Sequence, residues 1–362
     1  MAFPPAGSRL SAMHIVNIML GRGVGGIEQA FGDYSEGLAG RFHRVTAITD
    51  PFAAVNARLQ EIGIETRSLV NLGEWDWFAA YRLRRLLRAL RPDVVLTHGS
   101  RAFTMARRAI DGFCPLVGVA HNYNARIRHL AQADGVFAIT NDLARHLAAL
   151  GVPSDRIFHI PNMIRLGRFD LGSGPRRGAR HSPPVIGTMG RFVPKKGFAV
   201  FIDALALLHQ RGYVFRAVLG GTGAEEQRLR ARARTVGLDP VLVFPGWITD
   251  KAAFFVGIDI FCLPSLHEPF GIVLLEAFAH GVPVVSTDSE GPRDFLVPNT
   301  DTLVVPVANA AALADALARL LDDPALASTL AANGFTKAQD VFAIERVSAQ
   351  IEQALTETCR LN

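Results

Sequence analysis

The sequence predicts an α/β protein whose two domains are each built on an open parallel sheet with helices on both faces. The chain has 362 residues, more than one ordinary hydrophobic core organises. Short apolar runs typical of buried strands alternate with segments of helical spacing, as in a doubly wound, Rossmann-like sheet. Residues 167–184 are rich in Gly, Pro, Ser and Arg without periodicity, and the alternation starts again after them. We therefore predict an N-terminal domain at 1–168, a linker at 169–184 and a C-terminal domain at 185–343.

The first domain alternates between strands rich in Val, Ile and Leu and helices with an apolar stripe. A glycine-rich turn follows its first strand. The predicted strands are 14–20, 44–49, 65–69, 93–98, 116–121, 136–140 and 157–160. Four helices are predicted: the first ends near residue 39, the second spans 78–90, the third begins near residue 101 and the fourth spans 141–150.

The second domain repeats this pattern from residue 185 onward. Its predicted strands are 185–189, 215–219, 241–244, 258–263, 282–286 and 303–305. Its predicted helices are 198–211, 225–235, 272–281 and 310–321. A last amphipathic helix within 344–362 is expected to pack back onto the first domain. Because open sheets bind ligands at the carboxyl ends of their strands, we expect the two domains to face each other across a ligand-binding cleft.

Composition is typical of a soluble globular protein, with 49% apolar and 20% charged residues. No apolar stretch reaches the length of a membrane span, and the first residues lack the basic-then-apolar pattern of a signal peptide. Cys114, Cys262 and Cys359 have neither metal-ligand nor disulfide spacing, which is consistent with a reducing compartment. We therefore expect a cytoplasmic protein without a bound metal.

Positive charge is concentrated in the first domain. Residues 1–168 contain 20 Arg and no Lys against 13 acidic residues, a balance of +7, whereas residues 169–362 carry −2. Much of the excess lies in a basic amphipathic helix at 81–91. This helix presents either an ordinary solvated face or a surface attracted to an anionic membrane or an anionic acceptor. Nucleic acid is disfavoured as a partner, because we recognise no aromatic platform and no known binding module beside the charge.

The segment 268–276 combines two carboxylates with the start of a helix. The apolar run at 258–264 predicts a strand before it, and Gly281 predicts the end of the helix after it. Glu268 then lies in the strand-to-helix loop, and Glu276 leans back from the helix toward the same crevice. The free N–H groups at 270–272 favour an anion. Carboxylates beside an anion site suit a ligand with hydroxyls and phosphates, such as a nucleotide sugar; a solvated acidic turn before a core helix is the other interpretation.

A basic loop follows the first strand of the second domain. Arg191 and Lys196 lie in the segment 190–198, at the carboxyl end of that strand. An arginine binds phosphate with a fork of N–H groups, and a lysine adds a point charge. Together they can neutralise a diphosphate, including the charge that develops on it as a leaving group. Surface cations in a proline-lysine turn are the alternative.

A glycine loop follows the first strand of the first domain. Gly21, Gly23 and Gly26 match the pattern G-x-G-x-x-G, and Asp50 ends the next strand, where a dinucleotide-binding fold places its ribose-binding acid. An NAD(P)-dependent oxidoreductase is therefore the alternative function. The pattern alone is weak, and no Tyr-x-x-x-Lys pair follows to supply a hydride-transfer acid. Glycines also let the backbone approach a phosphate or a sugar.

Taken together, these segments resemble a retaining glycosyltransferase of the GT-B fold, in the large glycosyltransferase family four, over nearly the whole chain. The two glutamates at 268 and 276 with the Arg/Lys loop carry the specificity of this resemblance, whereas glycine turns are common elsewhere. Further segments that share it are 25–28, 160–162, 221–223, 245–247 and 291–294.

The resemblance implies residue roles. Arg191 and Lys196 would hold the donor diphosphate, Glu276 the nucleotide ribose and Glu268 the donor sugar. The donor-binding residues that it implies are Gly23, Gly25, Gly26, Arg191, Lys196, Ile248, Phe270, Gly271, Ile272 and Glu276. The catalytic residues that it implies are Arg191, Lys196, Glu268 and His121. No divalent metal is expected, because the cations would neutralise the diphosphate.

Two histidines, His98 and His121, end strands of the first domain. By resemblance, His121 is the candidate for a donor-sugar contact, since a neutral histidine can donate a hydrogen bond to a hydroxyl. A structural role is the alternative for both. The candidates for the acceptor side are His98, Arg101, Arg126 and Arg128, and an ordinary surface role is the alternative for the three arginines.

We therefore predict a retaining, metal-independent hexosyltransferase that moves a sugar from a nucleotide sugar to a lipid- or polysaccharide-linked acceptor. The expected pathway class is lipopolysaccharide, glycolipid or exopolysaccharide synthesis, and a UDP-sugar is the expected donor. No cofactor besides the donor and no nucleic-acid partner is expected. We expect a cytoplasmic location with peripheral contact at the inner face of an anionic membrane.

Overall fold

The chain forms two compact units in a computed structural model, which describes residues 12–124, 126–166 and 181–361. The first unit extends through Ile139, includes Leu143–Ile160 and takes up the chain again from Val347. The second unit comprises Thr140–Asp142 and Pro161–Arg346. Of the predicted linker at 169–184, residues 169–180 lie outside the described residues.

A seven-stranded parallel sheet lies at the centre of the first unit, in the order β3-β2-β1-β4-β5-β6-β7. Its inner strands are apolar runs buried on both faces, as helices on either side require. The strands are β1 (His14–Met19), β2 (Arg44–Thr49), β3 (Glu65–Ser68), β4 (Val94–His98), β5 (Leu116–Ala120), β6 (Gly135–Ala138) and β7 (Ile157–His159). The helices between them are α1 (Gly26–Gly40), α2 (Val55–Glu61), α3 (Trp77–Leu90), α4 (Ser100–Ile110) and α5 (Asn141–Ala149).

A six-stranded parallel sheet lies at the centre of the second unit, in the order β10-β9-β8-β11-β12-β13. The strands are β8 (Val185–Met189), β9 (Arg216–Gly220), β10 (Leu242–Val243), β11 (Ile260–Leu263), β12 (Val284–Thr287) and β13 (Leu303–Val305). The helices are α6 (Phe198–Gln210), α7 (Glu226–Thr235), α8 (Lys251–Val256), α9 (Ile272–Ala279), α10 (Pro292–Phe295), α11 (Ala310–Asp322) and α12 (Pro324–Asp340).

The last helix, α13 (Ile344–Leu361), returns to the first unit. Glu352 on this helix pairs with Arg41, and its Oε1 lies 3.3 Å from Nε2 of His43. The absence of a side chain at Gly135 leaves room for the helix, because a Cβ there would lie 2.6 Å from Oγ1 of Thr358. A glycine in β6 therefore allows the closing helix to approach the sheet.

Each sheet contains a point at which the strand order reverses. In the first unit β1 lies between β2 and β4, and in the second β8 lies between β9 and β11. Loops that leave neighbouring strands at such a point diverge and form a crevice at the carboxyl ends. The glycine loop follows β1, and the segments 190–197 and 264–271 follow β8 and β11. The sequence-predicted site segments therefore lie at the switch points.

The predicted fold class is confirmed, since both sheets are parallel and alternate with helices. Four helices were not predicted, namely α2, α8, α10 and α12. Three of these are too short to show helical periodicity, and α12 is recognisable only by its start. There Asp323 accepts a hydrogen bond from the N–H of Leu326 at 2.9 Å, just before Pro324 at the first helical position. Among the described helices, none is both long and apolar enough to cross a membrane.

Candidate functional site

In the second unit, the loops after β8 and β11 lie against each other. The N–H groups of Leu266 and His267 both donate to the carbonyl oxygen of Lys195, at 2.8 and 3.1 Å. Gly197 permits this approach, because its φ is +64° and a Cβ there would lie 1.9 Å from the carbonyl oxygen of Pro264. The backbone therefore holds the basic segment and the acidic segment side by side.

Replacing Gly197 by alanine is expected to destabilise the protein more than the same change at Gly212. Both glycines have positive φ, +64° and +85°, so alanine is strained at both positions. Only at Gly197 does the new Cβ also meet backbone, whereas at Gly212 it has open space. We expect Gly197→Ala to cost about 2 kcal/mol more than Gly212→Ala in urea unfolding. Equal losses would contradict the close contact of the two loops.

Glu268 and Lys196 form an ion pair across this junction. Glu268 is 7% exposed, and its Oε2 also accepts from Oγ of Ser265 at 3.3 Å. The N–H of Glu268 donates to Oε2 of Glu290 at 3.2 Å, and Nδ1 of His267 lies 2.8 Å from Oε1 of Glu290. Burial tends to raise the pKa of Glu290, but the hydrogen bonds from His267 and from backbone N–H groups lower it overall. Glu290 thus acts as an ionised anchor for the loop that carries Glu268.

Glu276 lies one turn into α9, is 3% exposed and binds a different lysine from Glu268. Nζ of Lys251 lies 2.5 Å from Oε1 of Glu276. Lys251 is the first residue of α8, whose N-cap Asp250 accepts from the N–H of Ala253 at 2.9 Å. Lys251 was not predicted from the sequence. The aspartate before it was the one local signal, because an N-cap residue predicts a helix start there.

The remaining donor-site candidates of the second unit also lie at the carboxyl ends of its sheet. Arg191 is exposed, and its side chain has no partner within the described part of the chain. Ile248 packs against the last residue of β9, because a Cβ on Gly220 would lie 2.5 Å from Cγ1 of Ile248. The turn into α9 consists of the buried Phe270, the N-cap residue Gly271 with a φ of +90°, and Ile272.

The second-unit site can therefore bind an anion and hydroxyl groups together. An exposed guanidinium and a lysine side chain that is 19% exposed supply positive charge, and two buried carboxylates supply acceptors. The start of α9 adds backbone N–H groups. Within the described ranges, no group of three or more His, Cys, Asp or Glu side chains is arranged to hold a metal ion.

In the first unit, the glycine loop lies against the carboxylate of Glu28. A Cβ on Gly21, Gly23 or Gly25 would lie 3.3, 3.4 or 3.3 Å from one of its oxygens. Gly25 is the N-cap residue of α1 and Gly26 its first residue, and an acid in the first helical turn is stabilised by the helix dipole. The carboxylate of Glu28 therefore occupies the side of the loop on which a dinucleotide-binding fold binds the pyrophosphate of its ligand.

Asp50, the acid on which the oxidoreductase alternative depends, is fully buried and engaged by other side chains. Nε of Arg22 lies 3.0 Å from its Oδ1, and Nδ2 of Asn71 donates to its Oδ2 at 3.3 Å. Arg101 in turn donates to Oδ1 of Asn71 at 3.2 Å and to the carbonyl oxygen of Leu20 at 3.3 Å. The structure therefore gives the oxidoreductase alternative no support.

His98 and His121 are hydrogen-bonded to each other. Nδ1 of His98 lies 2.9 Å from Nε2 of His121, and the rings stack with centroids 5.0 Å apart. His98 is 2% exposed and packs edge-on against Phe31 and Tyr34. Burial lowers the pKa of His121 to about 4 and that of His98 well below its ordinary value, so both rings are neutral at pH 7. The prediction that His98 lines the acceptor side is not supported, because the ring is enclosed by protein.

The hydrogen bond between the two rings selects a tautomer of His121. One neutral imidazole must donate and the other must accept. The second ring nitrogen of His98, Nε2, has no hydrogen-bond partner among the described residues. Since a buried N–H without a partner is rarer than a buried acceptor without one, donation from Nδ1 of His98 is favoured. His121 then carries its proton on Nδ1 and can donate from there.

The free energy of unfolding is expected to fall as the pH is lowered from 6.5, the ordinary pKa of histidine, to about 4, the pKa of His121 in the folded protein. Over this range the unfolded chain binds a proton that folded His121 does not, so acid favours unfolding. We expect the histidine to contribute about 1–2 kcal/mol, less than the full pKa shift implies, because His121 is half-buried rather than fully buried. Urea unfolding at pH 7 and pH 4.5 measures the loss. The variant His121→Gln is expected to lose less of its free energy of unfolding between pH 7 and pH 4.5 than the wild type does. An equal loss in the two proteins would contradict a histidine that stays neutral in the folded state.

The predicted acceptor-side arginines lie at different places in the first unit. Arg101 and Arg126 both contact the loop that joins β3 to α3, Arg101 at Asn71 and Arg126 at Glu74, with 3.0 Å between Nη1 of Arg126 and Oε2 of Glu74. Arg128 is exposed. The structure thus brings two of the three to one loop.

Comparison with known proteins identifies the family. The model described as Glycosyltransferase Family 4 matches residues 24–168, and that described as Glycosyl transferases group 1 matches residues 175–337. The lipopolysaccharide core biosynthesis glycosyltransferase LpsE of Rhizobium meliloti (strain 1021) is 29% identical over 332 residues, which cover 91% of this chain and 96% of LpsE. Phosphatidyl-myo-inositol mannosyltransferase of Mycobacterium leprae (strain TN) is 32% identical over 271 residues, 70% of each chain.

Solved structures agree with this result. HepE of Anabaena, crystallised in complex with UDP and glucose, superposes with a TM-score of 0.81 at 20% identity over 95% of this chain and 99% of HepE, which shows the fold. The group 1 match contains the Arg191/Lys196 loop and both glutamates, and the family 4 match contains both histidines. The predicted glycosyltransferase function is confirmed, and the chain belongs to the glycosyltransferases of the GT-B fold, with a family 4 segment followed by a group 1 segment.

Proposed function

We propose that this glycosyltransferase moves a hexose from a UDP-sugar to a lipid- or polysaccharide-linked acceptor with retention of anomeric configuration. The acceptor class would be that of lipopolysaccharide, glycolipid or exopolysaccharide synthesis, at the cytoplasmic face of a membrane. The observation that carries the proposal is the junction of the second unit, where Lys196 pairs with Glu268 and the exposed Arg191 lies in the same loop as Lys196.

The donor diphosphate is assigned to Arg191 and Lys196. The ammonium of Lys196 has three donors, so it can bind a phosphate oxygen while it keeps its bond to Glu268. The bonds from Lys196 and Ser265 both end on Oε2 of Glu268. Oε1 is therefore available to accept from a hydroxyl of the donor sugar. Glu268 then has two functions, since it orients the lysine and binds the sugar.

The nucleoside is assigned to the other side of the same crevice. Glu276 would accept hydrogen bonds from the ribose hydroxyls, and Ile248 at the end of β9 would line the base pocket. The glycine loop of the first unit, with Gly23, Gly25 and Gly26, fits acceptor hydroxyls better than a donor phosphate, because the Glu28 carboxylate repels a second anion.

The chemistry follows from this placement of charge. Breaking the bond from the sugar to the phosphate leaves negative charge on the diphosphate, which Arg191 and Lys196 stabilise without a divalent metal. The departing phosphate oxygen then takes the proton of the attacking acceptor hydroxyl on the same face, which gives retention. Neutral His121 would donate an N–H to a hydroxyl of the donor sugar and hold the ring in place.

The relatives support the donor and acceptor classes to different degrees. LpsE and LpsD of Rhizobium meliloti are both named for lipopolysaccharide core biosynthesis, and HepE was crystallised with UDP-glucose. One mycobacterial relative, 29% identical over 270 residues, is named a GDP-mannose-dependent alpha-mannosyltransferase. UDP is therefore the proposed nucleotide, and GDP is the comparison that the assay must include.

The test is nucleotide release from UDP-, GDP- and ADP-sugars, with bacterial membrane extract as acceptor, in the presence and absence of EDTA. We expect UDP release that depends on the extract and is unaffected by EDTA. Anomeric analysis of the product by NMR determines the stereochemistry. Release from a GDP-sugar alone would move the assignment to GDP, and an inverted product would overturn the retaining mechanism.

A further inference from the structure

The first unit exposes a group of large apolar side chains beside its basic helix. They lie on the loop between β3 and α3 and on the first turns of α3, and Leu72 and Phe78 are 94% and 85% exposed. This aromatic patch consists of Val70, Leu72, Trp75, Trp77, Phe78 and Tyr81. Apolar side chains gathered in one exposed area mark an interaction site. The interpretation that no aromatic platform accompanies the basic charge is therefore wrong.

Hydrogen bonds hold the loop of the aromatic patch in a defined shape. Asp76 caps α3 by accepting from the N–H of Ala79 at 2.9 Å, and it also accepts from the N–H of Leu72 at 3.0 Å. Asn71 donates to Asp50 at 3.3 Å. The apolar side chains are thus presented outward on an ordered backbone, which lowers the entropic cost of docking.

An arginine beneath the two tryptophans adds to this order. Nη1 of Arg108 donates to the carbonyl oxygen of Glu74 at 2.6 Å. Its guanidinium carbon lies 4.6 and 4.8 Å from the ring centroids of Trp75 and Trp77, so the cation contacts both rings. Indole rings held beside a guanidinium combine apolar area with positive charge.

The exposed face of α3 continues the patch with positive charge. Each residue turns about 100° around a helix, so residues 77, 78, 81, 82, 85 and 88 share one face. The opposite face is buried and consists of Ala79, Ala80, Leu83 and Leu87. The exposed face is therefore aromatic at the start of the helix and basic toward its end, with Arg82, Arg85 and Arg88. The helix contains no acidic residue.

We propose that this face docks on an anionic phospholipid bilayer, with the aromatic patch in the interfacial region and the three arginines against lipid phosphates. Tryptophan and tyrosine favour the membrane interface, and basic side chains on an amphipathic helix are attracted to anionic lipid. A second copy of the chain fits less well, because a symmetric contact brings the same arginines together.

The proposal rests on the lipid-linked acceptor of the proposed function and gives it a geometry. Asn71, between Val70 and Leu72, bonds to Asp50 and to Arg101, which donates to the residue after β1. The aromatic patch therefore borders the carboxyl edge of the first sheet, where the glycine loop lies. A bilayer bound there brings the head of a membrane-anchored acceptor to that edge.

The experiment is sedimentation of the full chain with vesicles of phosphatidylethanolamine and phosphatidylglycerol, beside vesicles of phosphatidylcholine. We expect the protein to bind the anionic vesicles, and added salt to weaken this binding. The variant Trp77→Ser/Phe78→Ser is expected to bind them about tenfold or more weakly than the wild type. Phe42→Ser is the matched control, because Phe42 is 82% exposed and precedes β2 at the opposite edge of the same sheet. Brominated lipids in the anionic vesicles are expected to quench the tryptophan fluorescence of the bound protein, since two of the three tryptophans lie in the aromatic patch.

Three results would overturn the docking surface. The first is wild-type protein that stays in the supernatant, and the second is a Trp77→Ser/Phe78→Ser variant that binds anionic vesicles as well as Phe42→Ser does. The third is a wild-type protein that is dimeric while the double variant is monomeric, which would assign the face to a second copy. UDP binding of the same preparations, measured without vesicles, separates the two proposals. Wild-type protein that binds vesicles but not UDP would contradict the proposed function and leave the docking surface intact.

Discussion

Replacing Lys196 by methionine is expected to lower kcat/KM for the donor by about 10²- to 10³-fold, the loss typical of removing one group that stabilises developing charge. Methionine keeps the unbranched apolar stem, so the change removes mainly the ammonium. The variant also leaves Glu268, which is 7% exposed, without its cation. We therefore expect a loss of about 1–2 kcal/mol in the free energy of unfolding.

Two further variants separate these effects. Lys195→Met removes the neighbouring, exposed lysine of the same loop and is expected to keep nearly full activity. Lys196→Met/Glu268→Gln removes the unpaired charge and is expected to regain stability without regaining activity. Steady-state kinetics and urea unfolding on the four proteins measure both quantities. Recovery of activity in the double variant, or an equal loss in Lys195→Met, would contradict the role of Lys196.

Replacing Glu276 by glutamine is expected to weaken UDP binding by about 10- to 100-fold, because hydrogen bonds to a charged acceptor contribute more than those to a neutral one. Glutamine keeps the volume of a side chain that is 3% exposed, so the fold is retained. Lys251 loses the negative charge of Glu276, but its side chain is 41% exposed and can be hydrated. The expected loss therefore appears in affinity, measured by titration calorimetry with UDP.

Glu352 offers the matched control for this experiment. It is another buried glutamate, 7% exposed and paired with Arg41, but it lies on α13 against the first unit. Glu352→Gln is expected to lower stability and to leave UDP affinity unchanged. If Glu276→Gln bound UDP as tightly as the wild type, the ribose assignment would be wrong.

The meeting of Lys196 and Glu268 was predictable because it follows from topology. Both residues lie in loops after strands that a doubly wound sheet places side by side, β8 and β11. Likewise His98 is the last residue of β4, and His121 directly follows the neighbouring strand β5. Periodicity and loop position therefore sufficed to place these four side chains at sheet edges, although the ion pair and the hydrogen bond between the rings were not foreseen.

The features that were missed depend on packing between elements or on exposure. Lys251 reaches Glu276 only because α8 packs near α9, and α8 is too short to show periodicity. The carboxylate of Glu28 folds back on its own glycine loop, which the pattern G-x-G-x-x-G does not encode. Trp77 and Phe78 read as core residues by type, whereas the structure exposes them. A sequence pattern gives a residue's position on an element, but not the neighbour that covers it.

A crystal structure of the chain with bound UDP tests most directly whether the switch point of the second unit holds the donor. We expect the diphosphate within hydrogen-bond distance of Arg191 and Lys196, and the ribose hydroxyls on Glu276. A nucleotide bound instead at the glycine loop of the first unit, with all three of these side chains free of it, would contradict the account.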